Sequence, residues 1–318
     1  MDLSHSTDTE AVAPAARKAQ TVLLLNANAG GGRAASYKRR IEAHIARLPQ
    51  RPMLFVSQDA QTANRLVDAL PSGSRVIVFG GDGSVSAMLP SLVAGGHTLG
   101  LVPIGSGNDT ARALGISGMK WDQALDHALL ARPTMVDLGE LAYTNARGFE
   151  QRRLFISSFN AGFDAAVVQH ALALPGWLTG MPRYTLATLA ELSALRSFDL
   201  AISIDGRAIH AGPVLLASTL NTSTYGGGMQ IAPTATMDDG ALDLLMASEM
   251  GLMRVLTLLP RMLMGRHLGE PGVVHQCIGQ LTLSATAPVP VAADGEYLGE
   301  AIAASVQVRP ALLPVLKA

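Results

Sequence analysis

The chain has 318 residues, enough for one large domain or two, and its 24 lysines and arginines nearly cancel 25 aspartates and glutamates, leaving a formal net charge of -1. That balance excludes a general nucleic-acid-binding surface. Hydrophobic residues make up 48% and the mean hydropathy is +0.27, yet no uninterrupted apolar run approaches the roughly 20 residues that span a bilayer, so no transmembrane segment is expected. The single cysteine, Cys277, cannot close an internal disulfide, which suits a reduced cytoplasmic setting. Residues 1–20 carry Asp2, Asp8 and Glu10 ahead of any apolar segment, unlike a secretory signal, and read as a flexible tail.

From Thr21 onward short apolar runs alternate with helical stretches. Strands are expected at Thr21 to Leu25, Met53 to Ser57, Val76 to Phe79 and Thr98 to Val102, with helices at Ala34 to Leu48, Thr62 to Leu70, after Gly83 to about Ala94, and Trp121 to Ala131. Such alternation implies a parallel sheet with helices on both faces, whose ligands bind at the carboxyl ends of the strands. Past the Trp121 to Ala131 helix the texture changes, with a boundary near residue 140. Strands are expected at Met135 to Gly139, Arg153 to Ser157, Asp199 to Ile204, Val214 to Ser218, Leu242 to Met246, Gln280 to Leu283 and Ser305 to Val308, with a hairpin turn at Asp205-Gly206. Helices are expected at Ala165 to Leu174, Tyr184 to Leu195 and Leu252 to Met264. The reading is therefore a nucleotide-binding α/β domain over 21–140 and a β-rich, sandwich-like domain over 141–318, whose last segment can return to the first.

Three turns follow strands directly and should converge on one edge of the sheet: Asn26 to Gly32, Gly80-Gly81-Asp82-Gly83-Ser84, and Pro103 to Thr110. Glycines let backbone approach a ligand closely, and a helix start offers unpaired N–H groups to phosphate. Asp82 would repel a phosphate unless a cation lies between them, so the second turn points to Mg²⁺ with a nucleotide, or else to Asp and Gly used for turn geometry alone. A Walker A loop is excluded, because no lysine follows glycine. Gly30-Gly31-Gly32-Arg33-Ala34-Ala35 fits a dinucleotide fingerprint, but the acidic residue that should follow the second strand, Asp59, comes late.

Taken together these turns resemble the signatures of the diacylglycerol kinase catalytic-domain family, which includes bacterial lipid kinases and sphingosine kinases. The resemblance continues in order through Asn160 to Asp164, Gly226 to Gly228, Pro233, Asp238-Asp239-Gly240-Ala241-Leu242-Asp243 and Asp294-Gly295-Glu296, covering about Thr21 to Arg309. Two departures are visible. Ser84 and Ser106 stand where the family commonly has threonine, which keeps the hydroxyl, and Ser86-Ala87 stands where it often has Asn-Glu, which alters nucleotide contacts or helix packing.

The resemblance implies an NAD kinase/diacylglycerol kinase-like fold and ATP-dependent phosphorylation of a hydroxyl on a lipid substrate, diacylglycerol or a sphingoid base for example, by a cytoplasmic protein meeting the membrane surface. A homodimer is compatible with it. It implies nucleotide contacts at Asn26, Ser57, Gly80, Gly81, Asp82, Gly83, Ser84, Gly105, Ser106, Gly107, Asn108 and Asp109. Mg²⁺ candidates are Asp82, Asp109, Asp137 and Asp294, and a second, structural Mg²⁺ falls to Asp239 with the carbonyls of Thr236 and Ala241. Glu296 matches the family's general base, with Asp82 and Asp294 beside it in catalysis. Each has a plainer counterpart: Asp294-Gly295 as a hairpin turn like Asp205-Gly206, Asp137 as a strand-end residue, and Asp238-Asp239-Gly240 as a loop. Two alternatives stay open, a soluble kinase of the NAD kinase type and a non-catalytic nucleotide- or lipid-binding regulator. The Leu252 to His267 segment combines basic residues with a broad apolar face; a core-packing helix kinked at Pro260 is expected, with a bilayer-facing helix as the alternative.

Overall fold

Apolar runs separated by helical stretches fold as the alternation dictates. The first half comprises β1 (Thr21–Asn26), α1 (Ala34–Ile45), β2 (Met53–Ser57), α2 (Ala60–Asp68), β3 (Arg75–Gly80), α3 (Asp82–Ala94), β4 (Thr98–Pro103), α4 (Asp109–Ala113) and α5 (Trp121–Leu130). The structure is a computed structural model and describes residues 18–28, 34–105, 107–175, 178 and 181–318. The four strands are parallel in the order β4-β3-β1-β2. Successive strand residues face opposite sides. Leu23, Leu25, Ile77 and Phe79 pack on Ile41 of α1 and Leu125 of α5, while Val22, Leu24, Val76 and Val78 pack on Val67 of α2 and Leu89 of α3. Burial on both faces is why these strands read as continuous apolar runs. Asp59, the late acid of the dinucleotide-like pattern, opens α2 as a helix cap by accepting the Thr62 N–H at 2.7 Å.

The second half comprises β5 (Thr134–Asn145), β6 (Glu150–Phe155), β7 (Ser158–Gly162), α6 (Phe163–Ala173), α7 (Met181–Ser193), β8 (Phe198–Ile204), β9 (Arg207–Leu220), β10 (Leu242–Ser248), α8 (Leu252–Leu263), β11 (Val273–Ile278), β12 (Gln280–Ala293) and β13 (Glu296–Val315). Its strands pair antiparallel and enclose one core around Phe155, Phe159, Ile202, Leu244, Leu281 and Val306. The two halves share a sheet. β13 runs antiparallel to β5 and β12, and its end pairs parallel with β4 at Val315 and Leu99, giving the order β11-β10-β9-β7-β12-β13-β4-β3-β1-β2. Residue 140, where the composition shifts, lies inside β5, because that strand carries β13 along its length past both cores. β7 and β11 were not expected: the first is small and polar, Ser-Phe-Asn-Ala-Gly, and the second is too mixed to show a period.

Asp137 sits among backbone partners from two distant segments. It is buried on β5; its Oδ2 accepts the Gly240 N–H and its Oδ1 the Ala311 N–H, both at 2.7 Å, while its own N–H donates to the Met237 carbonyl. Ala311 has φ of 49°, at the point where β13 shifts register against β5. Both carboxylate oxygens thus accept backbone amides, which pins the loop before β10 to the bend of β13. Asp137→Ala is expected to cost about 2–4 kcal/mol of stability by urea unfolding, since two charge-assisted hydrogen bonds disappear; an unchanged midpoint would contradict the clamp.

Candidate functional site

β3 and β4 are parallel neighbours, so the turns that follow them lie side by side. They touch so closely that a Cβ on Gly105 would sit 2.7 Å from the Gly81 Cα, and one on Gly80 would sit 2.6 Å from the Ser84 Oγ. Glycine is therefore required here by packing. Asn108 adopts a left-handed conformation, φ 58°, and its Nδ2 donates to the Gly105 carbonyl at 2.8 Å. At the end of β1 the Asn26 Nδ2 donates to the Ser84 Oγ at 2.8 Å. Ser57 pairs in register with Asn26, and the two share a small pocket of about 60 Å³ with Gly83 and Ser84. Ser106 and the Gly30 to Gly32 turn lie outside the described residues.

Asp82 explains its own odd placement. Its Oδ1 accepts the Thr110 N–H at 2.8 Å and its Oδ2 the Asp109 N–H at 3.1 Å, so the carboxylate caps the first turn of α4 and is steadied by that positive end. Asp109 is buried and reaches into the second half: Oδ1 accepts from Arg112 at 2.7 Å and Thr224 at 3.0 Å, and Oδ2 accepts the Gly227 N–H at 2.9 Å. Burial pushes its carboxyl above the usual range and neighbouring Asp82 adds to this, while the Gly227 amide, Thr224 and Arg112 pull it back.

The Asp294-Gly295 pair is a hairpin turn in its backbone, with φ of 47° and 75°, close to the 47° and 79° of Asp205-Gly206 between β8 and β9. The side chains part company. Asp205 is exposed and accepts the Gln280 N–H, whereas Asp294 is buried and accepts three amides, Ser157 at 2.8 Å, Ile156 at 3.1 Å and Ser158 at 3.2 Å. Burial raises its carboxyl above the ordinary range, against the pull of those amides and of the Ser86 hydroxyl. The turn presents Glu296, whose side chain is 61% exposed and whose Oε2 accepts from Arg153 of β6 at 2.5 Å. Arg153 also reaches the Ser86 Oγ at 3.3 Å, so the Glu296–Arg153 pair is joined to the first turns of α3.

Asp82, Asp109, Asp294 and Glu296 line one cavity of about 780 Å³, whose wall also takes Val167 of α6, Leu216 of β9, Leu245 of β10 and Val255, Leu258 and Met262 of α8. A polar chain runs through the same wall: Ser158 donates to Asn160, Asn160 to Ser218, and both Ser218 and Tyr225 donate to Asp164 Oδ2. Burial pushes the Asp164 carboxyl up and the Tyr225 phenol well up. Tyr184 of α7 lines the cavity too; burial raises its phenol, Asp82 and Asp109 add to this, and Arg183 opposes them. Sequence reasoning missed Arg153, Tyr184 and the Asp164–Tyr225 pair. A charged residue at the start of an apolar strand and an aspartate inside a quoted motif were the only signals.

Among the described residues no group of three or more His, Cys, Asp or Glu side chains gathers as a metal cluster. The donor set nevertheless fits a hard cation carried by phosphates, which takes one or two carboxylates and keeps its waters. Asp82 and Asp109 would supply those carboxylates, and the Asn108 Oδ1 and Thr110 Oγ1 are buried with no partner among the described residues. Thr236, Asp239 and Ala241 are not part of this cavity. Asp239 is exposed, its Oδ1 accepts the Ala241 N–H at 3.0 Å, and the Gly240 amide between them is held by Asp137.

Comparison with known proteins agrees with this architecture. Residues 20–141 match the family model of the diacylglycerol kinase catalytic domain, and residues 157–317 match that of the YegS C-terminal NAD kinase beta sandwich-like domain. A diacylglycerol kinase of Mycobacterium tuberculosis is 34% identical over 278 residues, covering 86% of this chain and 88% of its own length. That of Bacillus subtilis is 26% identical over 235 residues, 73% and 74% of the two chains. In structure the chain is similar to a diacylglycerol kinase from Bacillus anthracis str. Sterne, with a TM-score of 0.66 at 17% identity over 94% and 97% of the chains. Yeast NADH kinase shares the fold with a TM-score of 0.53 at 10% identity, over 94% and 83%.

The three amides on Asp294 give a site-level expectation. Asp294→Ala should speed hydrogen exchange at Ile156, Ser157 and Ser158 together and cost about 2–5 kcal/mol of stability. Continued protection of all three amides would show that the carboxylate does not hold the segment.

Proposed function

The chain belongs to the diacylglycerol kinase catalytic-domain family, and we propose that it transfers the γ-phosphate of ATP to a hydroxyl group of a membrane lipid such as diacylglycerol or a sphingoid base. The observation that carries this reading is the mixed wall of one cavity: glycine turns and carboxylates share it with apolar side chains of α6, α8 and the second-half sheet. A soluble dinucleotide would have little use for that apolar wall, whereas a lipid needs it.

In this reading the phosphates lie against the start of α3 and the turn at Gly105 to Gly107, where helix-start amides favour anions. Asn26, Ser57, Ser84 and Asn108 frame the rest of the nucleotide. Asp82 and Asp109 would hold Mg²⁺ directly or through water, and when bound this ion neutralises charge on the phosphates. Glu296 takes the proton from the acceptor hydroxyl as it attacks, and Arg153 holds that carboxylate in place. Asp294 fixes the turn from which Glu296 projects. The loop bearing Asp239 would hold a second Mg²⁺ with the carbonyls of Thr236 and Ala241, away from the chemistry. No helix among the described residues is long and apolar enough to cross a membrane, and the reading makes this a cytoplasmic protein that meets its substrate at the membrane surface.

Incubation of pure protein with γ-labelled ATP, Mg²⁺ and a panel of lipids in micelles tests the proposal. One lipid should carry the label; absence of label on every lipid despite ATP binding would overturn it in favour of a regulator. Glu296→Gln should lower turnover by about 10²–10⁴-fold with ATP affinity unchanged. Arg153→Met should lower turnover by about tenfold alone but add almost nothing to Glu296→Gln, because it acts through that carboxylate. Additive losses would give Arg153 an independent part.

A further inference from the structure

We infer that α8 is the surface by which this protein seats itself on an anionic bilayer, with the helix's outer apolar side as the contact and the cavity behind it receiving the acceptor's chains. The inference rests on the lipid-kinase reading. A helix that packs only against its own protein carries apolar residues on one stripe and polar residues opposite. α8 does not. Val255, Leu258, Leu259 and Met262 line the cavity. Leu252, Met253, Leu256 and Leu263, with Met264 just beyond, are between 40% and 75% exposed. At about 100° per residue the two sets are adjacent, so the apolar arc covers roughly two-thirds of the helix circumference, beginning in the cavity and passing without a break onto the outside.

The remaining strip is Arg254, Thr257 and Arg261. Both arginines pair with the one carboxylate of Glu270, Arg254 at 2.7 Å, and the exposed Arg266 follows just after the helix. Three guanidinium groups against one carboxylate leave the border of the arc positive, which complements anionic headgroups. Leu172 of α6 lines the cavity while 61% exposed, so the cavity opens beside apolar surface on α6 as well. One side of the helix lines the cavity, and the other is continuous with it and exposed. A bilayer explains that continuity, because a lipid moving from membrane to Glu296 would slide along apolar surface throughout.

The test uses the full-length protein and the double variant Met253→Glu/Leu256→Glu, whose side chains are exposed and absent from the cavity wall. Sedimentation with phosphatidylcholine vesicles, with and without phosphatidylglycerol, should show wild type binding the anionic vesicles and the variant partitioning about tenfold or more less strongly, at an unchanged melting temperature. Phosphorylation of a long-chain acceptor in those vesicles should fall in parallel, while that of a short-chain acceptor dissolved as monomer stays the same. Equal vesicle binding by the two proteins overturns the inference, as does a wild type that phosphorylates the short-chain acceptor yet never sediments with vesicles. A wild-type dimer that the double variant dissolves, without vesicle binding by either, assigns the face to a second copy and overturns it too. Failure to phosphorylate any acceptor counts against the lipid-kinase reading alone, since sedimentation still decides for α8.

Discussion

The site depends on one buried carboxylate. Asp294 gathers the amides of Ile156, Ser157 and Ser158, so the β12–β13 turn is locked against the junction of β6 and β7. An ionised group out of water is costly unless every lone pair it offers is used. Three amides and the Ser86 hydroxyl meet that need, and the residual cost shows as a carboxyl raised above the ordinary range. In return the turn is held at one angle, and the next side chain, Glu296, projects into the cavity rather than along the sheet surface. The arginine that meets it comes from β6, the strand immediately before the locked junction.

A second buried carboxylate ties the opposite wall. Asp109 begins α4 in the first half, yet its partners Thr224 and Gly227 belong to the loop after β9 in the second. Asp82 in turn caps α4, so the turn after β3, the turn after β4 and the glycine loop after β9 form one hydrogen-bonded unit. β13 adds a backbone link by ending beside β4. A cleft joined in this way, through shared sheet and buried charge, can hold a nucleotide and an acceptor at fixed separation, which is what in-line phosphoryl transfer requires.

How much of this could be read beforehand follows from the range of the interactions. The parallel strands and the glycine turn after β3 were legible because period, turn chemistry and helix starts are local properties. The hairpin at Asp205-Gly206 was legible for the same reason. Asp294-Gly295 was not distinguishable from it by spacing, and only the resemblance gave it a role, since the two turns share a backbone and differ in what their carboxylates meet. The clamp made by Asp137 was not legible, because its partners, Gly240 and Ala311, lie more than a hundred residues away in sequence. Arg153 passed as an ordinary strand residue until the fold brought it to Glu296. The shift in composition near 140 reflects a change of architecture, but the sheet runs through it.

The apolar wall and the acidic set have to serve one reaction for this account to stand, and a crystal structure with a non-hydrolysable ATP analogue, Mg²⁺ and a short-chain lipid acceptor asks that directly. The account predicts the terminal phosphate at the Gly81 and Gly105 turns, the acyl chains between α6 and α8, and the acceptor hydroxyl against Glu296. Nucleotide bound away from those turns, or a lipid whose hydroxyl lies far from Glu296 while its chains fill the cavity, would contradict it.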